Sequence, residues 1–255
     1  MRRFVFAMLT FLLAATSHAA VQFPRQMDST QRQEVLKILG LGSGGKILSD
    51  PYPLGGYAGL ELGVTLESIL IEDISRLGAI AAGPQNEVSF LGLTMGKGIY
   101  NNVDLFLHFV PYLPRTEVSR YGAMVRWGFF QAQFLPLSLS ININAEIANY
   151  SNVLSARTVG ADLVGGVNVN NVALYAGLGP VSSNGTFIGG PPIATCNPAN
   201  PATCPFTSSS EKQRETVKTL HSVVGVSVAF GNISITGELD RYTQPVYSGK
   251  LGFRF

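Results

Sequence analysis

Charged residues are scarce in this sequence. Asp, Glu, Lys and Arg make up 13% of the chain and hydrophobic residues 46%, whereas soluble domains carry about 25% charged residues. Long hydrophobic runs are absent as well, because beyond the N-terminal region no stretch holds the about 18 consecutive apolar residues that indicate a membrane-spanning helix. The chain is therefore rich in apolar residues without offering a helical span.

Residues that support catalysis or metal binding are also few. The chain has three histidines and two cysteines, no Gly-x-Ser-x-Gly motif, and a Gly-rich stretch at 40–45 that lacks the Lys-Ser/Thr ending of a phosphate-binding loop. Asp104 and His108 share one face of a strand pattern, and His221 precedes Ser222, but catalysis needs hydrogen-bond proximity that separate strands do not guarantee. We predict no enzyme activity, no cofactor and no metal site.

The N terminus has the pattern of a secretory signal peptide. Arg2 and Arg3 give a positive start, residues 4–15 are apolar except for one threonine, and Ser17-His18-Ala19 is a small-x-small cleavage site. The apolar run is shorter than the about 20 residues of a membrane anchor. Cleavage after Ala19 removes two arginines and leaves 16 basic and 16 acidic residues. A balanced chain without a basic stripe argues against nucleic-acid binding.

Side chains alternate between apolar and polar along much of the remaining chain. From 137 to 148 the odd positions are Leu, Ile or Ala and the even positions, apart from the last, are Ser, Asn or Glu, which predicts a strand with two different faces. Phe90-Leu91 and Leu93 interrupt the pattern of their strand and suggest a bulge. The candidate strands are 56–67, 87–98, 103–110, 119–130, 137–148, 157–169, 172–179, 216–230, 233–240 and 247–255.

The links between these strands alternate between short and long. The short links contain Asn101-Asn102, Asn170-Asn171 and Gly231-Asn232, or span 131–136, and Asn and Gly suit tight hairpin turns. The long links are 68–86, 113–118, 149–156, 180–215 and 241–246. Outer-membrane barrels have short periplasmic turns and longer outside loops. An even strand number would then place both termini in the periplasm.

The last nine residues carry a resemblance to a known class. Tyr247, Gly249, Leu251, Phe253 and Phe255 fall on one face of the final strand, which resembles the C-terminal signal by which the barrel-assembly machinery recognises bacterial outer-membrane β-barrels. The resemblance implies an all-β fold at 56–255, an antiparallel transmembrane barrel of about ten strands in a range of about 8–12, in contact with outer-membrane lipid in a Gram-negative cell. A soluble sandwich is the alternative, although it explains neither the alternating link lengths nor the final aromatic residue.

Two segments do not fit the barrel pattern. Asp28 and Gln31 form a capping-box pattern before a short helix that ends at Gly40, and residues 20–55 are predicted to be a periplasmic or lumen-plugging segment. Residues 68–82 have helical spacing, which predicts a helix in the first outside loop or an amphipathic helix on the membrane surface.

Cys196 and Cys204 lie in the longest predicted loop, 180–215. An even pair in a secreted protein predicts a disulfide, with two free thiols as the alternative. A braced outside loop would contact an external ligand, cover the pore, or resist proteolysis.

Charged residues of both signs are predicted to face the lumen, as an interlocking salt-bridge network or as the lining of a narrow water-filled channel. We expect a porin-like narrow pore or small-solute transport protein, with cell-surface recognition or adhesion through the outside loops as the alternative. The predicted lumen residues are Glu61, Glu67, Lys97, Asp104, His108, Arg126, Glu146, Asp162, His221, Glu238, Asp240, Lys250 and Arg254.

Overall fold

Ten antiparallel strands close into a single barrel, as the sequence predicts. The computed structural model describes residues 21–24, 27–78, 85–112, 114, 116–132, 134–188 and 212–255. The first and last strands pair from Glu61 opposite Arg254 to Ile69 opposite Val246, so that the sheet has no free edge. The strands are β1 Leu60–Leu70, β2 Glu87–Gly98, β3 Val103–Val110, β4 Val118–Gln131, β5 Leu137–Tyr150, β6 Leu154–Val169, β7 Val172–Ile188, β8 Lys212–Phe230, β9 Ile233–Arg241 and β10 Pro245–Arg254.

One short helix precedes the barrel in the described part of the chain. Helix α1, Ser29–Val35, begins with a reciprocal capping box: the Gln31 amide donates to the Asp28 carboxylate at 2.8 Å, and the Asp28 amide donates to the Gln31 side chain at 3.0 Å. A π-helical turn, Leu36–Gly40, continues it. None of the helices in the described ranges is both long and apolar enough to cross a membrane.

The outer face of the barrel is apolar. Ile143 and Val224 point outward and are 58% and 61% exposed, whereas Asn142, one residue from Ile143, points inward and is fully buried. Tyr121 and Tyr247 lie on the outer face near one end of the barrel, and Trp127 lies there near the other. An apolar belt with aromatic residues at its borders is typical of the lipid-facing surface of a transmembrane barrel.

The two ends of the barrel differ. The end that carries the links 99–102, 132–136, 170–171 and 231–232 is called the turn end, and the opposite end the loop end. Short turns face the periplasm in outer-membrane barrels, and we therefore expect the loop end to face the outside. Two loop-end links, 151–153 and 242–244, are shorter than predicted because their flanking strands continue above the apolar belt.

The interruption in β2 is not a bulge. Its register with β1 and β3 is continuous, and the irregularity lies instead in β4, between Gly128 and Phe130. Phe90 points inward, where it is buried in an apolar cluster at the loop end of the lumen. The alternation predicted a bulge wrongly because the inner face is polar only in part.

The chain before β1 runs through the barrel from one end to the other. Leu60 lies at the turn end beside Phe255, whose amide donates to the Leu60 carbonyl at 2.8 Å. Val21 lies at the loop end, where the Ser151 hydroxyl donates to its carbonyl at 3.3 Å. The even strand number therefore places the start of β1 correctly, but Val21, the first described residue, lies at the opposite end from Phe255 because residues 36–54 pass back through the lumen.

The first outside loop differs from its prediction. Ser68 and Leu70 belong to β1, and a 3-10 helix occupies only Glu72–Arg76. Ile74 is buried in the loop-end apolar cluster rather than presented to the membrane surface.

Candidate functional site: the filled lumen

Residues 36–54, named the lumen segment, occupy the interior of the barrel. Its glycines allow the backbone to approach the wall, since a Cβ on Gly45 would lie 2.7 Å from the Asn144 Cβ and one on Gly40 would lie 2.6 Å from the Ser183 hydroxyl oxygen. Both distances are shorter than side chains tolerate without a shift. Glycine at 40 and 45 thus lets the backbone lie closer to the wall than a residue with a Cβ could without a shift of its neighbours.

Glu238 of β9 binds the backbone of the lumen segment. Its two carboxylate oxygens accept from the amides of Ile47 and Leu48 at 3.0 and 2.8 Å, and the Tyr175 hydroxyl donates to it at 2.6 Å. All four residues are buried. One wall carboxylate therefore satisfies two amides that would otherwise lie unpaired in the interior.

Arg126 and Asp104 hold the lumen segment nearer the turn end. The Arg126 guanidinium donates to Asp104 at 2.8 and 3.0 Å, to the Tyr52 carbonyl at 2.9 Å and to the Asp50 carbonyl. Asp104 also accepts from the Leu54 amide at 3.2 Å. The ion pair thus binds both donors and acceptors of the segment backbone.

The loop-end half of the lumen is held by a mixture of apolar packing and hydrogen bonds. Leu36 and Leu39 are buried in the loop-end apolar cluster, while the Tyr150 hydroxyl donates to the Leu39 carbonyl at 3.2 Å and the Thr158 hydroxyl donates to the Gly40 carbonyl at 2.7 Å. At the mouth, Arg32 of α1 pairs with Glu215 of β8 at 2.9 Å. This end of the lumen resembles the core of a soluble domain.

Lys46 is a fully buried cation that the sequence analysis missed. Its ammonium donates to the carbonyls of Gly42 and Gly44 at 3.1 and 2.9 Å and to the Tyr242 hydroxyl at 3.1 Å. Burial, together with the nearby Asp240, raises the pKa of Tyr242 well above its usual value. The hydroxyl therefore keeps its proton, which it donates to the Gly45 carbonyl at 3.3 Å.

His221 lies between two carboxylates. Its ring nitrogens are 2.8 Å from Asp162 and 2.9 Å from Asp240, and its ring stacks on Tyr242 with centroids 4.3 Å apart. Both ring nitrogens are therefore engaged by carboxylate oxygens. Ser222 lies on the opposite face of β8. His221 thus has no nitrogen available to activate that hydroxyl.

Arg120 is the second charged lumen residue that is absent from the predicted set. It makes a bidentate pair with Glu67, with one contact at 2.7 Å, and lies 3.8 Å from Glu146, which faces His108 at 3.4 Å. The pattern of β4 contains the signal, because Arg120 and Arg126 are separated by an even number of positions and share the inner face.

Glu61 anchors the turn-end side of the network. It pairs with Lys250 and with Arg254, the latter at 2.8 Å, and accepts from the Ser49 hydroxyl of the lumen segment at 3.3 Å. Glu61, Lys250 and Arg254 therefore join strands β1 and β10 where the barrel closes.

The structure places the other predicted site residues as follows. Lys97 was predicted to face the lumen, which is wrong: it lies on the outer face at the turn end of β2 and donates to the Tyr57 carbonyl. Cys196 and Cys204 lie outside the described residues, and their disulfide stays a prediction. Within the described ranges no group of three His, Cys, Asp or Glu could hold a metal ion.

The wall of β5 is the least tightly bonded side of the lumen. Ser138, Ser140 and Asn142 point inward and are buried, yet their side-chain polar atoms form no hydrogen bond with any described residue. Asn144 makes one weak contact, 3.4 Å to Asp162. A polar stripe therefore runs along this wall beside the lumen segment.

Comparisons with known proteins give structural similarity at low sequence identity. No protein-family model matches the chain, and no curated protein matches it. The N-terminal β-barrel domain of Pseudomonas aeruginosa OprF is 12% identical with a TM-score of 0.34, covering 78% of this chain and 99% of that one. Ail, the attachment invasion locus protein of Yersinia pestis, is 14% identical with a TM-score of 0.30, covering 78% and 99%. Acinetobacter baumannii outer membrane protein Omp33 is 8% identical with a TM-score of 0.30, covering 78% and 100%.

These similarities are too weak to carry a function. The closed strand order, the apolar belt and the aromatic residues at its borders belong to the chain itself. On these features the chain is a transmembrane β-barrel of the outer-membrane type.

Proposed function

We propose that the protein is a narrow conduit for small solutes that is closed by its own lumen segment and opens when that segment is displaced. The observation that carries the proposal is the way the segment is held. In the turn-end half, charged side chains of the wall bind its backbone, through Glu238 to Ile47 and Leu48 and through Arg126 to Tyr52. Water can replace such hydrogen bonds, whereas it replaces apolar packing only at a high cost.

The wall would remain suited to water without the segment. The turn-end half is lined by Glu61, Asp104 and Glu238 and by the cations Arg126 and Lys250, all buried. An open lumen would thus be polar and carry both signs, as expected of a passage for small hydrophilic solutes. The unbonded stripe along β5 supplies a side on which water can enter first.

Single-channel recording across planar bilayers tests the proposal. We expect the native protein to be closed for most of the recording, and a variant that lacks residues 21–54 to conduct steadily. Heat-modifiable migration of the deletion variant shows whether its barrel folds. A folded deletion variant that stays silent would contradict the proposal.

A cysteine lock tests the same point without a deletion. Gly40→Cys and Ser183→Cys, with Cys196 and Cys204 changed to Ser, place two thiols within disulfide reach; the end of the flexible Leu36 side chain must shift to make room. We expect openings under reducing conditions and none after oxidation, while Ser183→Cys alone, in the same background, is unaffected by oxidation. Equal conductance in both redox states of the double variant would count against a mobile segment.

Recognition at the cell surface is the second candidate function. Strands β7 and β8 continue their pairing past the apolar belt as far as Ile188 opposite Lys212, and α1 lies at the same end of the barrel. This tall wall would support the predicted outside loop. Loss of ligand or cell binding on shortening residues 189–211, with conductance unchanged, would favour recognition over transport.

A further inference from the structure

The outer face of β6 and β8 changes from apolar to basic at the loop end. Arg157 of β6 and Arg214 and Lys218 of β8 are exposed and point away from the lumen, because the residues beside them in the chain point inward. These three residues are named the basic rim.

The basic rim lies at the outer boundary of the lipid. Below Arg157, the outward positions of β6 are apolar or small from Val159 to Val169, and below Lys218 those of β8 are mostly apolar from Leu220 to Phe230. Each run matches the about 9–11 residues that a tilted strand needs to cross a bilayer. Arg157 and Lys218 are therefore the first outward charges above the hydrocarbon.

The charge of the rim is not neutralised by the strands around it. None of the three cations forms an ion pair with a residue in the described part of the chain. All the acidic residues of β6, β8 and β9 point into the barrel and are buried; they are Asp162, Glu215, Glu238 and Asp240. The outer face at this height is consequently cationic.

The strand register spaces the cations around a polar centre. Arg157 lies opposite Asn184 of β7, and Asn184 lies opposite Thr216, whose hydroxyl donates to the Asn184 side chain at 2.7 Å. Arg157 lies two strands away from β8, which is a distance of about 10 Å. Arg214 and Lys218 lie four positions apart along β8, which is about 13 Å. Long side chains at these separations can converge on more than one phosphate group of a single head group.

We propose that the basic rim binds the phosphate groups of a phosphorylated lipid in the outer leaflet of the outer membrane. A lipid fits better than a soluble anion because the rim stands directly above the lipid-facing belt on the outside wall, not in the mouth of the lumen. Clusters of Lys and Arg at such a boundary attract anionic head groups. The inference is independent of whether the lumen opens.

Binding of purified, detergent-folded protein to two probes tests the inference: lipopolysaccharide, and the same lipopolysaccharide with its lipid phosphates removed. We expect the native protein to bind the phosphorylated probe much more tightly. In the variant Arg157→Gln, Arg214→Gln, Lys218→Gln that affinity should fall about 100-fold, since each surface cation contributes about a fivefold effect. The affinity for the dephosphorylated probe should not change.

The control removes three cations elsewhere. The control variant Lys37→Gln, Arg76→Gln, Lys97→Gln loses the same net charge as the rim variant but leaves the basic rim intact. It should bind the phosphorylated probe like the native protein. Heat-modifiable migration of both variants verifies that they fold. Equal affinity of the rim variant and the native protein, equal affinity of the native protein for both probes, or equally tight binding of a soluble polyphosphate would each overturn the proposal.

Discussion

Glu238 offers the sharpest test of how the lumen segment is held. Glu238→Ala leaves the amides of Ile47 and Leu48 buried without their acceptor. An unsatisfied buried donor costs about 1–3 kcal/mol, so the two amides together should lower the free energy of displacing the segment by about 2–6 kcal/mol. At about 1.4 kcal/mol for each tenfold change, the segment should open about 30-fold to about 10⁴-fold more often.

Hydrogen–deuterium exchange of the detergent-folded protein measures this opening. Amides at 47 and 48 should exchange faster by the same factor, up to the limit set by global unfolding, while the strand amides of β9 keep their protection. Tyr175→Phe is the matched control: it removes the third partner of Glu238 but leaves both segment amides bonded, and its effect should be tenfold or less by the about 0.5–1.5 kcal/mol net value of one hydrogen bond. Unchanged exchange at 47 and 48 in Glu238→Ala would refute the reasoning.

Three further predictions concern the barrel. Arg120→Leu leaves the Glu67 carboxylate buried without its bidentate partner. The free energy of unfolding, measured in urea, should fall by about 3–5 kcal/mol. If the Arg120→Leu, Glu67→Leu double variant regains most of that lost stability, the uncompensated charge is the cause. Ile143→Arg, on the lipid face, should cost about 2–4 kcal/mol, whereas Asn149→Arg on the same face above the belt should cost at most about 1 kcal/mol; similar costs would contradict the membrane position. Deletion of Phe255 should reduce insertion into the outer membrane, and normal levels of the truncated protein would argue against an assembly signal there.

The strand centres could be predicted because lipid imposes a strict rule on them. Outward side chains in the hydrocarbon are nearly all apolar or small, so β3 and the body of β5 follow from alternation alone. The rule ends where the lipid ends. β7 was predicted to stop at Gly179 but continues to Ile188, because its Ser, Asn and Gly residues resemble a loop in sequence while β8 supplies the hydrogen bonds that keep it a strand.

The content of the lumen could not be predicted for a related reason. The Gly-rich stretch at 40–45 reads as a linker, and only the opposing wall, at Asn144 and Ser183, shows why glycine suits positions 40 and 45. Phe90 points inward because the lumen segment brings an apolar partner to the loop end. Lys97 faces outward because the unbroken register of β2 puts it on the same face as Leu93 and Met95, and its ammonium reaches the Tyr57 carbonyl at the turn end. Each of these contacts joins residues that are far apart in the sequence, or involves a residue near the end of its strand, so alternation along one strand does not reveal it.

The central claim is that the chain before β1 threads through the barrel. The most direct test is to determine on which side of the membrane α1 lies. Thr30 is exposed on α1 at the loop end, and Tyr57 is exposed at the turn end. In a background where Cys196 and Cys204 are replaced by Ser, a membrane-impermeant maleimide should label Thr30→Cys on intact cells and label Tyr57→Cys only after the outer membrane is permeabilised. Labelling of Thr30→Cys only after permeabilisation would place α1 in the periplasm and contradict a segment threaded through the barrel.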